Sequence, residues 1–246
     1  MMSNRSGSSS EDRGIASTIT NFGYLVFTDI LYLNEISFKD DYKYVLSFID
    51  CASRHCTLYY LKKRSDIYNK LKDYIVWVKT LSNVSDVTIA YSVKIIQAVK
   101  AAEYENKEWH SICAENGIQT KYASPTLHED AAVAERVWET IQDAGRVLMY
   151  TAKFMKNEWP LAFSHANYIY NRMPHPHLNN TMCPFEFATG IKPDLSKLRI
   201  FGCLAYAFID PSRSKFRRMA EMPELFNKQR LLICGIHGGL SISLSN

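Results

Sequence analysis

The sequence has no Cys-x-x-Cys pair and no run of Cys and His at zinc-ligand spacing. Its six cysteines (Cys51, Cys56, Cys113, Cys183, Cys203 and Cys234) are scattered. Such usage points to reduced, mostly buried thiols in an intracellular protein rather than to a disulfide framework. His175-Pro-His177 is the only close His pair; with no Cys following at ligand spacing, it reads as a polar loop. Long apolar runs are missing as well. Tyr74-Ile-Val-Trp-Val78 is far too short to cross a bilayer, and the Ser-rich residues 1–13 lack the apolar stretch of a signal peptide. No membrane partner is expected. Strong net charge is also absent: 29 Lys and Arg stand against 25 Asp and Glu, a net +4.

What is present is an ordinary globular composition, 47% hydrophobic and 22% charged, with fifteen tyrosines to fill a core. The basic surplus is unevenly placed. Residues 192–230 carry nine basic and four acidic residues, leaving a net −1 for the rest. This stretch fits either non-specific contact with phosphate backbones or a solvated basic surface. Three regions are expected: a disordered leader over 1–21, a core over 22–175, and a partly basic extension over 176–246 that ends abruptly.

Within the core, three strands are predicted, over 24–30, Tyr42 to Asp50 and His55 to Leu61. The short Cys51-Ala-Ser-Arg54 link makes the last two an antiparallel hairpin. Ile67, Leu71, Tyr74, Val78 and Leu81 recur at helical spacing, with Ser65 or Asp66 as cap. Asn83-Val-Ser-Asp86 breaks that helix. A fourth strand over Ser92 to Ala98, a short helix over Glu105 to Glu115 ended by Asn116-Gly117, and a fifth strand over Ile118 to Tyr122 follow. A long helix over Ala131 to Lys156 turns Val133, Val137, Ile141, Ala144 and Leu148 inward and Glu135, Glu139, Gln142 and Arg146 outward. A further helix spans Pro160 to Asn171. The order βββαβαβα reads as a mixed sheet flanked by helices.

Asp29 stands at the end of the first predicted strand, and Glu135 near the start of the long helix. Adjacent first and fourth strands would let both face one cleft, and Mg²⁺ prefers such hard oxygen ligands. Two carboxylates 106 positions apart are a weak signal alone. The surrounding segments strengthen it. Phe27-Thr-Asp-Ile30, Phe48-Ile-Asp-Cys-Ala-Ser-Arg54, Leu61-Lys-Lys-Arg-Ser65, Glu115-Asn-Gly-Ile118 and Val133-Ala-Glu-Arg136 occur in this order. Tyr170-Asn-Arg-Met-Pro174, Pro184-Phe-Glu186, Thr189-Gly-Ile-Lys-Pro-Asp194 and Leu198-Arg-Ile-Phe-Gly-Cys203 follow. Together they resemble the integrase core of copia-type LTR retrotransposons over residues 22–210, with a texture nearer the yeast Ty elements.

That resemblance implies an RNase H-like fold, with Mg²⁺- or Mn²⁺-dependent joining of element DNA ends to target DNA. It also implies a homo-oligomeric assembly and a setting in cytoplasm and nucleus. The family carries an Asp, Asp, Glu triad with thirty-five residues between the last two. Asp29 matches the first member and Glu135 the last; both are the implied metal ligands. The middle position is Val99, inside Ala98-Val-Lys-Ala-Ala-Glu-Tyr104, where the family has Ser-Asp-Asn-Gly-Gly-Glu-Tyr. Ala131-Ala132 replace an Asn-Gly, and Glu139 replaces an expected Arg. Residues 1–21 lack the His and Cys of the family's zinc module, so the chain reads as part of a polyprotein.

Valine offers no ligand oxygen, and the implied reading is a relic whose site has decayed. A non-catalytic nucleic-acid-binding module and a weak metal-dependent nuclease with a rearranged site are the alternatives. Lys62, Lys63 and Arg136 are the candidate DNA contacts, although Lys62-Lys63-Arg64 fits a solvated strand end as well. Glu103 is a weak substitute for the missing carboxylate. Asp50 reads as a turn-stabilising residue, and Trp109 and Trp159 as core residues.

Overall fold

The computed structural model describes residues 19–38, 40–81, 91–98, 101–122, 128–196, 198–205, 231–236 and 239–244. Five strands form the main sheet: β1 (Leu25–Tyr32), β2 (Tyr44–Asp50), β3 (Cys56–Leu61), β4 (Ile95–Ala98) and β5 (Gln119–Tyr122). Their order is β3-β2-β1-β4-β5. β1, β2 and β3 pair antiparallel, while β4 and β5 continue parallel to β1. The expected mixed sheet and the adjacency of the first and fourth strands are both present. Helices α1 (Ile67–Leu81), α2 (Lys107–Glu115), α3 (His128–Ala152), α4 (Trp159–Tyr170) and α5 (Pro184–Thr189) complete the main body. A second, three-stranded sheet joins β6 (Leu204–Ala205), β7 (Leu231–Ile236) and β8 (Gly239–Leu244).

Side-chain alternation along the strands divides the core between two faces. Val26, Leu46 and Phe48 pack with Leu71, Tyr74 and Val78 of α1 and Trp109 of α2. Leu25, Phe27 and Ile49 turn the other way, against Val137 and Ile141 of α3 and Ala166 of α4. The apolar positions of α1 read from the sequence are all buried, as are Trp109 and Trp159. Asn106 caps α2 by accepting from Glu108 N at 2.9 Å, and Gly117 takes φ 65 just past its end, where a residue with a Cβ is disfavoured. Packing continues beyond residue 175: Ala188 joins the main core, and Phe201 stacks near Phe154 beside Ala162.

Three expectations need correction. The first strand does not end at Ile30; Leu31 and Tyr32 continue it, paired with Val45 and Tyr44. The long helix begins and ends about three residues earlier than its periodicity suggests. Ala144 is exposed, and the buried position beside it is Gly145. A Cβ at Gly145 would overlap the Phe163 ring, so the missing side chain lets α3 and α4 approach closely. Val99, the 83–86 break, most of the leader and most of the 192–230 basic stretch lie outside the described residues.

Candidate active-site cleft

Asp29 follows Leu25 and Phe27 at spacing two, so the pleat points it to the α3 side of the sheet. There it lines a cleft of about 760 Å³ with Phe27, Thr28, Ser47, Gln97 and Ala98. The opposite wall is α3, through Ala134, Glu135, Trp138, Glu139, Gln142, Asp143 and Arg146. The two carboxylates read from the sequence therefore share one cleft, although they lie on different elements. β4 reaches the cleft through Ala98, which pairs with Thr28; Val99 is the next residue in sequence.

Electrostatically, the cleft is acidic. Asp29, Glu135, Glu139 and Asp143 line it, and Arg146 is its only cation among the described residues. Arg146 is already engaged, donating to Asp143 Oδ1 at 2.8 Å and to Gln142 Oε1 at 2.9 Å. The Asp29 carboxylate reaches solvent but is crowded by protein, and this desolvation raises its pKa above the ordinary carboxylate value. A backbone bond from Ile30 N at 2.8 Å opposes the rise, and the negative charge of Glu103 adds to it.

The donor set does not fit a two-metal clamp, which needs about three convergent carboxylates. Among the described residues, no group of three His, Cys, Asp or Glu side chains is placed to hold a metal ion. Position 99 supplies a valine, which brings no oxygen. Glu103 does not line the cleft; its side chain is nearly buried and lies 3.8 Å from Arg64 Nη1. His175-Pro-His177 forms no metal cluster either.

The remaining candidates are dispersed. Lys62 and Lys63 are exposed where β3, the sheet edge, leads into a turn before α1, and they do not line the cleft. Arg136 is exposed on the other flank of α3 and lines a second groove with Arg54, His175 and His177. That juxtaposition has no local sequence signal, because Arg54 and His177 meet across 123 positions. Asp50 is fully buried behind the β2–β3 turn. Its carboxylate accepts from Gly23 N, Ser53 N and Ser53 Oγ, each at 2.7 Å, which is the turn-stabilising role expected.

Known proteins similar to this chain point to one lineage. The chain is 30% identical over 188 residues to the Pol polyprotein from transposon RE1 of Arabidopsis thaliana, a match covering 76% of this chain. It is 30% identical over 197 residues to that from transposon RE2 of the same plant, and 28% identical over 185 residues to that from transposon TNT 1-94 of Nicotiana tabacum. This chain is similar to the Pol polyproteins of copia-type retrotransposons. The matched segments make up only 12–13% of these relatives' length. These relatives are plant elements. No family model matches.

Among solved structures, the intasome of simian T-cell lymphotropic virus, in complex with the PP2A regulatory subunit B56 gamma, superposes with a TM-score of 0.52 at 12% identity. The match covers 78% of this chain and 62% of that one. The magnesium-bound HTLV-2 integrase catalytic core in its dimeric form gives 0.49 at 10% identity, covering 68% and 97%. The fold is RNase H-like, with the five-stranded mixed sheet and flanking helices of integrase cores. No helix among the described residues is long and apolar enough to cross a membrane.

Proposed function

We propose that the chain is the integrase-derived module of a retrotransposon Pol polyprotein, and that its catalytic cleft no longer supports two-metal chemistry. Its ancestral role is joining element DNA to target DNA with Mg²⁺ or Mn²⁺, in an assembly of several copies, in cytoplasm and nucleus. The observation that carries the reading is the cleft itself. Asp29 and Glu135 line it from β1 and α3, while the residue at the middle triad position in the sequence is Val99.

The other charged residues of the cleft make compensation unfavourable. Glu139 adds negative charge one turn from Glu135, and the lining cation Arg146 is held by Asp143. A DNA phosphate entering this cleft meets carboxylates instead of a bound cation. Crowding by protein, followed by the charge of Glu103, raises the Asp29 pKa against the Ile30 N–H that lowers it. Asp29 and Glu135 are the remnant of a two-metal site.

Calorimetric titration with Mg²⁺ and with Mn²⁺ tests this. The expected result is no saturable heat up to millimolar cation. Saturable binding that disappears in both Asp29→Ala and Glu135→Ala would contradict it.

A further inference from the structure

Helix α3 divides two grooves of opposite character. One flank gives Glu135 and Glu139 to the acidic cleft; the other gives Val133, Arg136, Val137 and Thr140 to a second groove of about 480 Å³. The far wall of this second groove is Arg54, from the β2–β3 turn, and the segment after α4, including His175 and His177. No Asp or Glu lines it among the described residues. Among those residues, no carboxylate forms an ion pair with Arg54 or Arg136 either. Asp50 opens the turn and feels the charge of Arg54, but it lies buried behind the turn with its carboxylate hydrogen-bonded to Gly23 and Ser53.

Arg54 is held in position. Its φ of 64 lies in the left-handed region, and its N–H donates to Asp50 O at 2.9 Å. Its guanidinium donates to Cys51 O and lies with Nη2 3.4 Å from His177 Nδ1. An arginine donating to that nitrogen requires a neutral imidazole. His177 N donates to His175 Nδ1 at 3.2 Å, and His175 Nε2 lies 3.3 Å from the Tyr170 hydroxyl. Burial and the positive field of Arg54 push both imidazoles below their ordinary pKa. Three guanidinium N–H bonds at most are used by Arg54 in these contacts, out of five. Arg54, held in place with donors to spare, and the exposed Arg136 line a groove with no Asp or Glu among the described residues, which suits an incoming anion with several acceptor oxygens.

We propose that this groove binds a phosphate of a nucleic-acid backbone, with Arg54 and Arg136 as charge-assisted donors and His177 as the residue that positions the Arg54 guanidinium. The anion preference comes from the groove's own side chains. The choice of a nucleic acid over other phosphates rests on the integrase-derived reading above. The acidic cleft repels a phosphate, and the opposite flank of the same helix supplies the missing attraction.

The test is fluorescence anisotropy of a labelled duplex DNA with the full chain across a salt series, with inorganic phosphate as a separate titrant. Arg54→Gly removes the charge while giving φ 64 to the residue that adopts it freely, and Arg136→Gln changes an exposed helix position. Thermal melts of both variants confirm folding. Each is expected to weaken DNA binding roughly tenfold and to lower the salt slope by about one. The Mg²⁺ and Mn²⁺ calorimetry reads the catalytic cleft separately, so failure of one reading does not decide the other. The proposal is overturned if the wild-type chain does not bind DNA, or if both variants bind as it does. Binding of inorganic phosphate without binding of duplex DNA overturns the nucleic-acid assignment.

Discussion

Replacing Asp50 by asparagine sets two opposed effects against each other. Three donors at 2.7 Å favour the carboxylate's charged form; complete burial penalises it. Burial wins, and the pKa is pushed up to about 6 from 3.8. The sign follows from linkage. An acid whose folded pKa is raised contributes stability that is fully present below pH 3.8 and is lost as pH rises through about 6. A shift of this size corresponds to about 3 kcal/mol in total. The Asp50→Asn side chain would keep one acceptor for Gly23 N and lose one for Ser53 N, which costs on the order of 1–3 kcal/mol at every pH. Urea denaturation of both proteins from pH 4 to pH 7.5 is the assay. The wild-type advantage should be largest at the acid end and shrink by about 2 kcal/mol over this range, since part of the total is already lost at pH 4. An advantage that stays flat, or grows with pH, would refute the reasoning, since it would mean that the three donors outweigh desolvation.

Two stability predictions follow from packing and hydrogen bonding. Gly145→Ala gains about 1 kcal/mol of helix propensity but drives a methyl into the Phe163 ring, wedged among Trp138 and Trp159. Overpacking of this kind costs about 1–3 kcal/mol, so a net loss near 1 kcal/mol is expected by chemical denaturation; a stabilised variant would show that α3 and α4 have slack. Asn171 bridges the β3 backbone, accepting from Cys56 N at 2.9 Å and donating to Cys56 O at 2.8 Å. Asn171→Ala leaves both groups buried without these partners and should cost roughly 2–4 kcal/mol in the same measurement, whereas a loss under about 0.5 kcal/mol would mean that water replaces the bridge.

Much of the fold is legible in the sequence because its periodicities are strong. Five apolar residues at helical spacing mark α1, and all five are buried. The short Cys51-Ala-Ser-Arg54 link marks the hairpin, and β2 and β3 pair as expected. Periodicity fails where tertiary packing overrides it. Leu31-Tyr32 has no breaker to separate it from 24–30, so only its pairing with 44–45 shows how far the strand runs. On α3 the choice between Ala144 and Gly145 depends on the position of Phe163, which no pattern within the helix contains.

The candidate site is legible only through resemblance. Asp29 and Glu135 are ordinary carboxylates locally, and their meeting in one cleft depends on the order of the sheet. Asp50 and His175-Pro-His177 are visible as residues to weigh. The groove uniting the histidines with Arg54 is not, because it is made by contacts across more than a hundred positions.

The central claim is that Val99 leaves the cleft without the ligand its chemistry requires. Losing even about 4 kcal/mol of transition-state stabilisation slows a reaction roughly a thousandfold. A strand-transfer assay with processed DNA ends and target DNA, in Mg²⁺ and in Mn²⁺, measures this directly. The expectation is no joined product from the wild-type chain and none from Val99→Asp, because Glu139 and the Ala101-Ala102 and Ala131-Ala132 replacements remain. Joined product from the wild-type chain that vanishes in Asp29→Ala would contradict the account.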